Sequence, residues 1–180
     1  MAKQATAPKK AAAPKKAAAP EHGAPPMPKP TAEHKLLKEH AGTWKVACKF
    51  YMDPSQPPME TAATEKIDMI GEFWTVSRYE TQMMGAPFVG CATLGFEPHS
   101  GQFVSTWMDS MAPVLCTLRG KQKGDTIAME GTFFSCMTNS VLKHRTTEKH
   151  ISKNERVFEM FCTMPDGTEI KMMTNRYKRA

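Results

Sequence analysis

The sequence predicts an all-β domain, an up-and-down antiparallel barrel of about ten strands entered through one short helix and preceded by a disordered tail. Three observations carry this reading. From residue 42 onward, apolar residues recur at every second position in short runs, the period of a strand with one buried face. The runs are separated by Gly, Pro, Asp and Ser clusters that suit hairpins and are too short for crossovers. A meander this long must hide its two edges, and closure removes them. A two-sheet sandwich would need long Greek-key crossings, which this sequence does not show.

Taken in order, residues 1–30 form the tail. Ala-Pro-Lys-Lys-Ala-Ala runs over 7–12 and again over 13–18. Each Pro removes a backbone donor and biases its predecessor away from helix, while Ala and Lys offer little to bury. Residues 31–40 suit one short helix, with Thr31 as N-cap, Glu33 in the first turn, Leu36 and Leu37 apolar, and Gly42 ending it. In the first strand Trp44, Val46, Cys48, Phe50 and Met52 share one face and Lys45 and Lys49 the other. After a loop at 53–58, strands are expected over 59–69, 73–83, 88–96, 102–110 and 114–119. A turn is expected at 120–124, then strands over 126–136, 141–151, 156–164 and 168–178. The domain boundary falls between 30 and 31.

Charge divides the same way. The chain has 180 residues and a formal net charge of +6, but six of its 24 bases and one of its 18 acids lie in residues 1–30. The rest is nearly neutral, so any electrostatic partner meets the tail. That tail resembles those of linker-histone-like proteins, which implies weak, non-specific contact with nucleic-acid phosphates, at roughly 10⁻⁴–10⁻⁶ M. A mobile solubilising tail is the simpler reading. No stretch approaches the roughly 20 apolar residues of a membrane span, and residues 1–30 lack the apolar segment of a secretory signal. A cytoplasmic protein with no membrane partner is expected.

Gly42-Thr43-Trp44, after a helix and before an alternating strand, is a G-x-W element. It resembles the motif of lipocalins and their calycin relatives. The resemblance implies a Trp at the closed end of the barrel beneath a basic side chain from a late strand, with Arg176 as the cap and Arg179 second. A longer run of segments comprises Glu33-His34-Lys35-Leu36-Leu37, Met83-Met84-Gly85-Ala86-Pro87-Phe88, Val104 to Met111, Phe158-Glu159-Met160 and Asp166-Gly167. These resemble the bacterial domain-of-unknown-function family 1579, small calycin-type barrels, over roughly residues 33–179. That resemblance implies a fold and no activity.

Signals of catalysis are thin. Five widely spaced cysteines, without a C-x-x-C pair, argue against structural zinc or a disulfide framework and read as small buried hydrophobes. His144 and His150 share a strand face but sit about 20 Å apart at ~3.3 Å per residue, too far to bind one metal together. Ser105 and Asp109 share a face with no placed histidine, and no G-x-S-x-G elbow or phosphate loop occurs. No cofactor and no metal are expected. The fifteen methionines read first as adaptable core and second as ligand wall.

The strand at 141–151 is more informative, because neither of its faces is apolar. One carries His144, Thr146, Glu148 and His150, the other Lys143, Arg145, Thr147 and Lys149. Such a strand either splays into solvent or lines a wet cavity. The resulting expectation is a non-catalytic barrel that binds a small, mainly apolar or amphipathic ligand. Trp44, Trp107 and Met172 would be walls, Asp109 and Arg145 polar anchors, and Arg176 the closed-end cap. Two alternatives stand beside it: a hydrolase or isomerase working through Asp109 and a histidine, and a scaffold tethered to nucleic acid by the tail.

Overall fold

The structure, a computed structural model, describes residues 27–53, 55–135 and 138–180. Most of the expected tail and its lysines therefore lie outside the described residues. Helix α1 (Ala32–His40) precedes β1 (Gly42–Phe50), β2 (Met59–Ile70), β3 (Trp74–Met83), β4 (Ala86–Glu97) and β5 (Gln102–Asp109). There follow β6 (Cys116–Lys123), β7 (Thr126–Ser135), β8 (Ser140–Ser152), β9 (Glu155–Thr163) and β10 (Glu169–Arg179). Each strand pairs antiparallel with its neighbours in sequence, and β1 pairs with β10 to close the ring. The all-β, up-and-down barrel with one short helix is thus the observed architecture.

The hydrophobic alternation dictates which face turns inward. On β1, Trp44, Val46 and Cys48 are buried while Lys45 and Ala47 are exposed. Helix α1 covers one end of the barrel, with Leu37 fully buried. His34 ties the helix down: Thr31 N–H donates to its Nδ1 at 3.0 Å and its Nε2 lies 3.1 Å from the Phe96 carbonyl oxygen. With Nδ1 accepting, Nε2 must be the protonated donor, so these bonds select one tautomer.

The expected turn at 120–124 is shorter than the sequence suggested, because β6 continues to Lys123. Gly120 is a strand residue, and a Cβ there would lie 1.9 Å from the Ala128 carbonyl oxygen of β7. Close approach of two backbones, not a bend, explains that glycine.

Candidate functional site

The G-x-W element assembles the closed end. Gly42 has φ +129°, and a Cβ on it would meet Arg179 Nη1 at 2.5 Å, so only glycine fits. Trp44 donates from Nε1 to the His40 carbonyl oxygen at 2.8 Å, fixing the end of α1. The Arg179 guanidinium sits 4.3 Å from the Trp44 ring and donates to the carbonyl oxygens of Ala41, Glu39 and Lys153. Arg179 is the basic cap, and the expectation for Arg176 is corrected: Arg176 is exposed on the outer wall, opposite Ala47.

One irregularity accounts for two displaced residues. Between Lys171 and Met173 the pairing of β10 with β9 shifts by one residue. Ile170 faces inward opposite Cys162, and beyond the bulge Met173, Asn175, Tyr177 and Arg179 face inward instead of Met172, Thr174 and Arg176. Met173, opposite Phe50 and Met160, takes the wall position expected of Met172.

Strand β8 turns Leu142, His144, Thr146, Glu148 and His150 inward, opposite Phe133, Gly131, Met129, Ile127 and, on β9, Arg156. Arg145 is therefore on the outer face, where it clasps Glu169 at 2.6 and 3.0 Å and lies 4.0 Å from the Phe161 ring. Its expected place as an internal anchor is corrected. Asp109 is committed as well. One oxygen accepts the Trp107 indole N–H at 2.9 Å, and the other accepts the N–H groups of Met111 and Ala112 at 2.9 and 3.1 Å. No histidine is among these partners, which removes the geometric basis for an Asp109–His acid–base pair.

Toward the helix end the barrel interior holds a buried charged cluster. Arg156, on β9, donates to Glu148 Oε2 at 2.6 Å and to Glu65 Oε2 at 3.0 Å, with its guanidinium 3.8 Å from the Tyr177 ring and 4.9 Å from Trp44. Burial alone would raise the Glu148 carboxyl, but Arg156 and the imidazoles of His40 and His150 hold it well below the usual carboxylate range. His40 is pushed down to about 4 by burial, against the pull of Glu148 and reinforced by Arg156, His150 and Arg179. The Nε2 atoms of His40 and His150 face one another at 3.0 Å, and Glu148 Oε1 lies 3.3 and 3.5 Å from them. The sequence left this group invisible, since His40 ends the helix; the only local sign was Glu148 and His150 sharing a strand face.

The opposite end, which no helix covers among the described residues, is largely apolar inside. Inward-facing Phe50, Met83, Trp107, Phe133, Met160 and Met173 remain half-exposed, whereas Trp44, Ile67, Phe103, Ile127 and Tyr177 near the helix are buried. Tyr79, Phe88 and Trp107 form one aromatic group, with ring centroids 6.0–6.5 Å apart. The Tyr79 hydroxyl and Cys48 Sγ are 2.7 Å apart, and burial raises both groups above their ordinary values. At this end Met52, Met59, Met84, Met111 and Leu115 are exposed, and exposed Met108, Phe134 and Val141 lie on the outer wall beside inward-facing Trp107, Phe133 and Leu142. Deeper inside, Ser77 Oγ, Thr146 Oγ1 and Asn175 Oδ1 are buried without a hydrogen-bond partner among the described residues. Two surface clefts, of about 290 and 230 Å³, flank α1 and lie outside the lumen.

The chain is similar in fold to the crystal structure of Rv2717c from M. tuberculosis, at 14% identity and a TM-score of 0.61 over 83% of this chain and 98% of that one. A redesigned β-barrel, mFAP1, bound to DFHBI, gives a TM-score of 0.43 at 13% identity over 79% and 97%. No curated protein matches it in sequence. A family model described as "Protein of unknown function (DUF1579)" matches residues 29–179, and the chain belongs to that family.

Proposed function

We propose that the open end of the barrel takes up a small, mainly apolar or amphipathic ligand. The observation that carries this reading is the distribution of exposed apolar groups. Of the eleven large hydrophobic side chains exposed among the described residues, eight lie at this end, three of them (Met108, Phe134 and Val141) on its outer wall. An exposed apolar patch of this kind marks a binding surface more often than an ordinary monomer face. Below the rim the half-exposed aromatic and methionine side chains supply a wall that adapts to shape. Asp109 and Trp107 act as a fixed unit: the carboxylate holds the indole ring against Gly90, where a Cβ would lie 2.3 Å from that ring.

Titration with 1-anilinonaphthalene-8-sulfonate tests this. One probe is expected to bind per chain, with energy transfer from tryptophan, and Trp107→Leu should weaken binding at least about tenfold. Trp74→Leu, in the outer cleft, should leave it unchanged. Absence of binding, or a loss with Trp74→Leu in place of Trp107→Leu, overturns the reading.

A further inference from the structure

Three side chains at the closed end have the geometry of a metal centre, independent of the mouth. His40 Nε2, His150 Nε2 and Glu148 Oε1 are separated by 3.0, 3.3 and 3.5 Å. Ligand atoms each ~2.1 Å from one ion are spaced by roughly 3.0 Å at right angles and roughly 3.4 Å at the tetrahedral angle. The three separations span that range, so one point serves all three atoms.

The ion-free arrangement leaves these atoms poorly satisfied. Two imidazole nitrogens facing each other at 3.0 Å share at most one hydrogen between them. Glu148 Oε1 is buried, and its two nearest nitrogens lie beyond good hydrogen-bond distance, so it has no partner among the described residues. Its sister oxygen is taken by Arg156. Within the buried group two carboxylates, Glu65 and Glu148, face one guanidinium, an excess of one negative charge that a cation offsets. Arg179 also lies near His40, with its donors turned to three carbonyl oxygens. His150 is 18% exposed and Glu148 12%, against 3% for His40, so the route inward runs past β8.

We propose that His40, Glu148 and His150 bind one divalent first-row transition cation. Two imidazoles and one carboxylate suit Zn²⁺, Co²⁺ or Fe²⁺ better than the all-oxygen shells of Mg²⁺ or Ca²⁺. The ion ties His40 of α1 to Glu148 and His150 of β8.

Co²⁺ titration of the full chain, read by visible absorption, tests the assignment. The expected result is one Co²⁺ per chain with ligand-field bands, displaced by Zn²⁺. His40→Asn and His150→Asn should each lose them, and His144→Asn should keep them. Zn²⁺ should also raise the Tm of the native chain, and the rise should vanish in His150→Asn, whose partly exposed position makes it the variant safest to fold. Failure to bind stoichiometrically, binding unchanged in His150→Asn, or an intense sulfur-to-cobalt charge-transfer band, which places the ion on cysteine, overturns the proposal. Binding of the naphthalene probe at the mouth is read separately, so failure of either proposal leaves the other standing.

Discussion

Arg156 is the side chain on which the closed end depends. Its guanidinium pairs with both Glu65 and Glu148 while stacking over Tyr177, and it is only 5% exposed. A buried ion pair adds little net stability against a well-packed apolar replacement, but losing one partner strands the others. Arg156→Met is therefore expected to cost about 3–5 kcal/mol in urea unfolding, with two carboxylates left buried and unpaired. Adding Glu65→Gln and Glu148→Gln to it should recover part of that loss, a coupling that a multiple-mutant cycle reads directly. None of this was legible in the sequence. Glu65, Glu148 and Arg156 lie on three strands, and their meeting depends on a ring closing, which no local pattern reports.

At the scale of elements, reading and structure agree where period and turn chemistry agree. The helix, all ten strands and most of the hairpins followed from alternation punctuated by Gly and Pro, with ends displaced by a few residues. The departures have three physical sources. The bulge in β10 reverses facing midway along a strand whose residues alternate cleanly on either side, so Met172 and Arg176 looked inward and are not. In β8 both faces are polar, so alternation had no apolar side to choose, and Arg145 was assigned to the wrong one. Gly120 is the third case, a glycine whose reason is a neighbouring backbone. Gly120→Ala should force β6 and β7 apart and lower stability by about 1–3 kcal/mol, seen as a lower urea midpoint at unchanged slope.

For the molecule as a whole, the buried titratable groups set how it responds to acid. His144 is pushed down to about 4 by burial, and His40 likewise. A histidine whose native pKa lies below its unfolded value of 6.5 is protonated first in the unfolded chain. Its contribution is complete above about pH 6.5 and is lost as the pH falls toward 4. Glu148, held below its ordinary 4.5, adds to that decline only below about pH 4.5. Stability is thus expected to be level above about pH 7 and to fall in two stages on acidification. His144→Phe should shallow the first stage, so that the variant gains on the native chain at pH 5 relative to pH 8 in urea midpoints.

The pairing of Trp44 with Arg179 has a consequence for how the chain reaches this state. The first strand of the ring waits for the last, so its hydrogen-bonding edge stays bare throughout translation until β10 emerges. Meanders of neighbouring hairpins can form early and cheaply, yet the seam is a long-range closure whose entropic cost falls at the end. A ribosome that stalls before residue 169 would leave an open, adhesive ribbon. Loss of the final strand is therefore a failure of the entire cylinder and not of one stave.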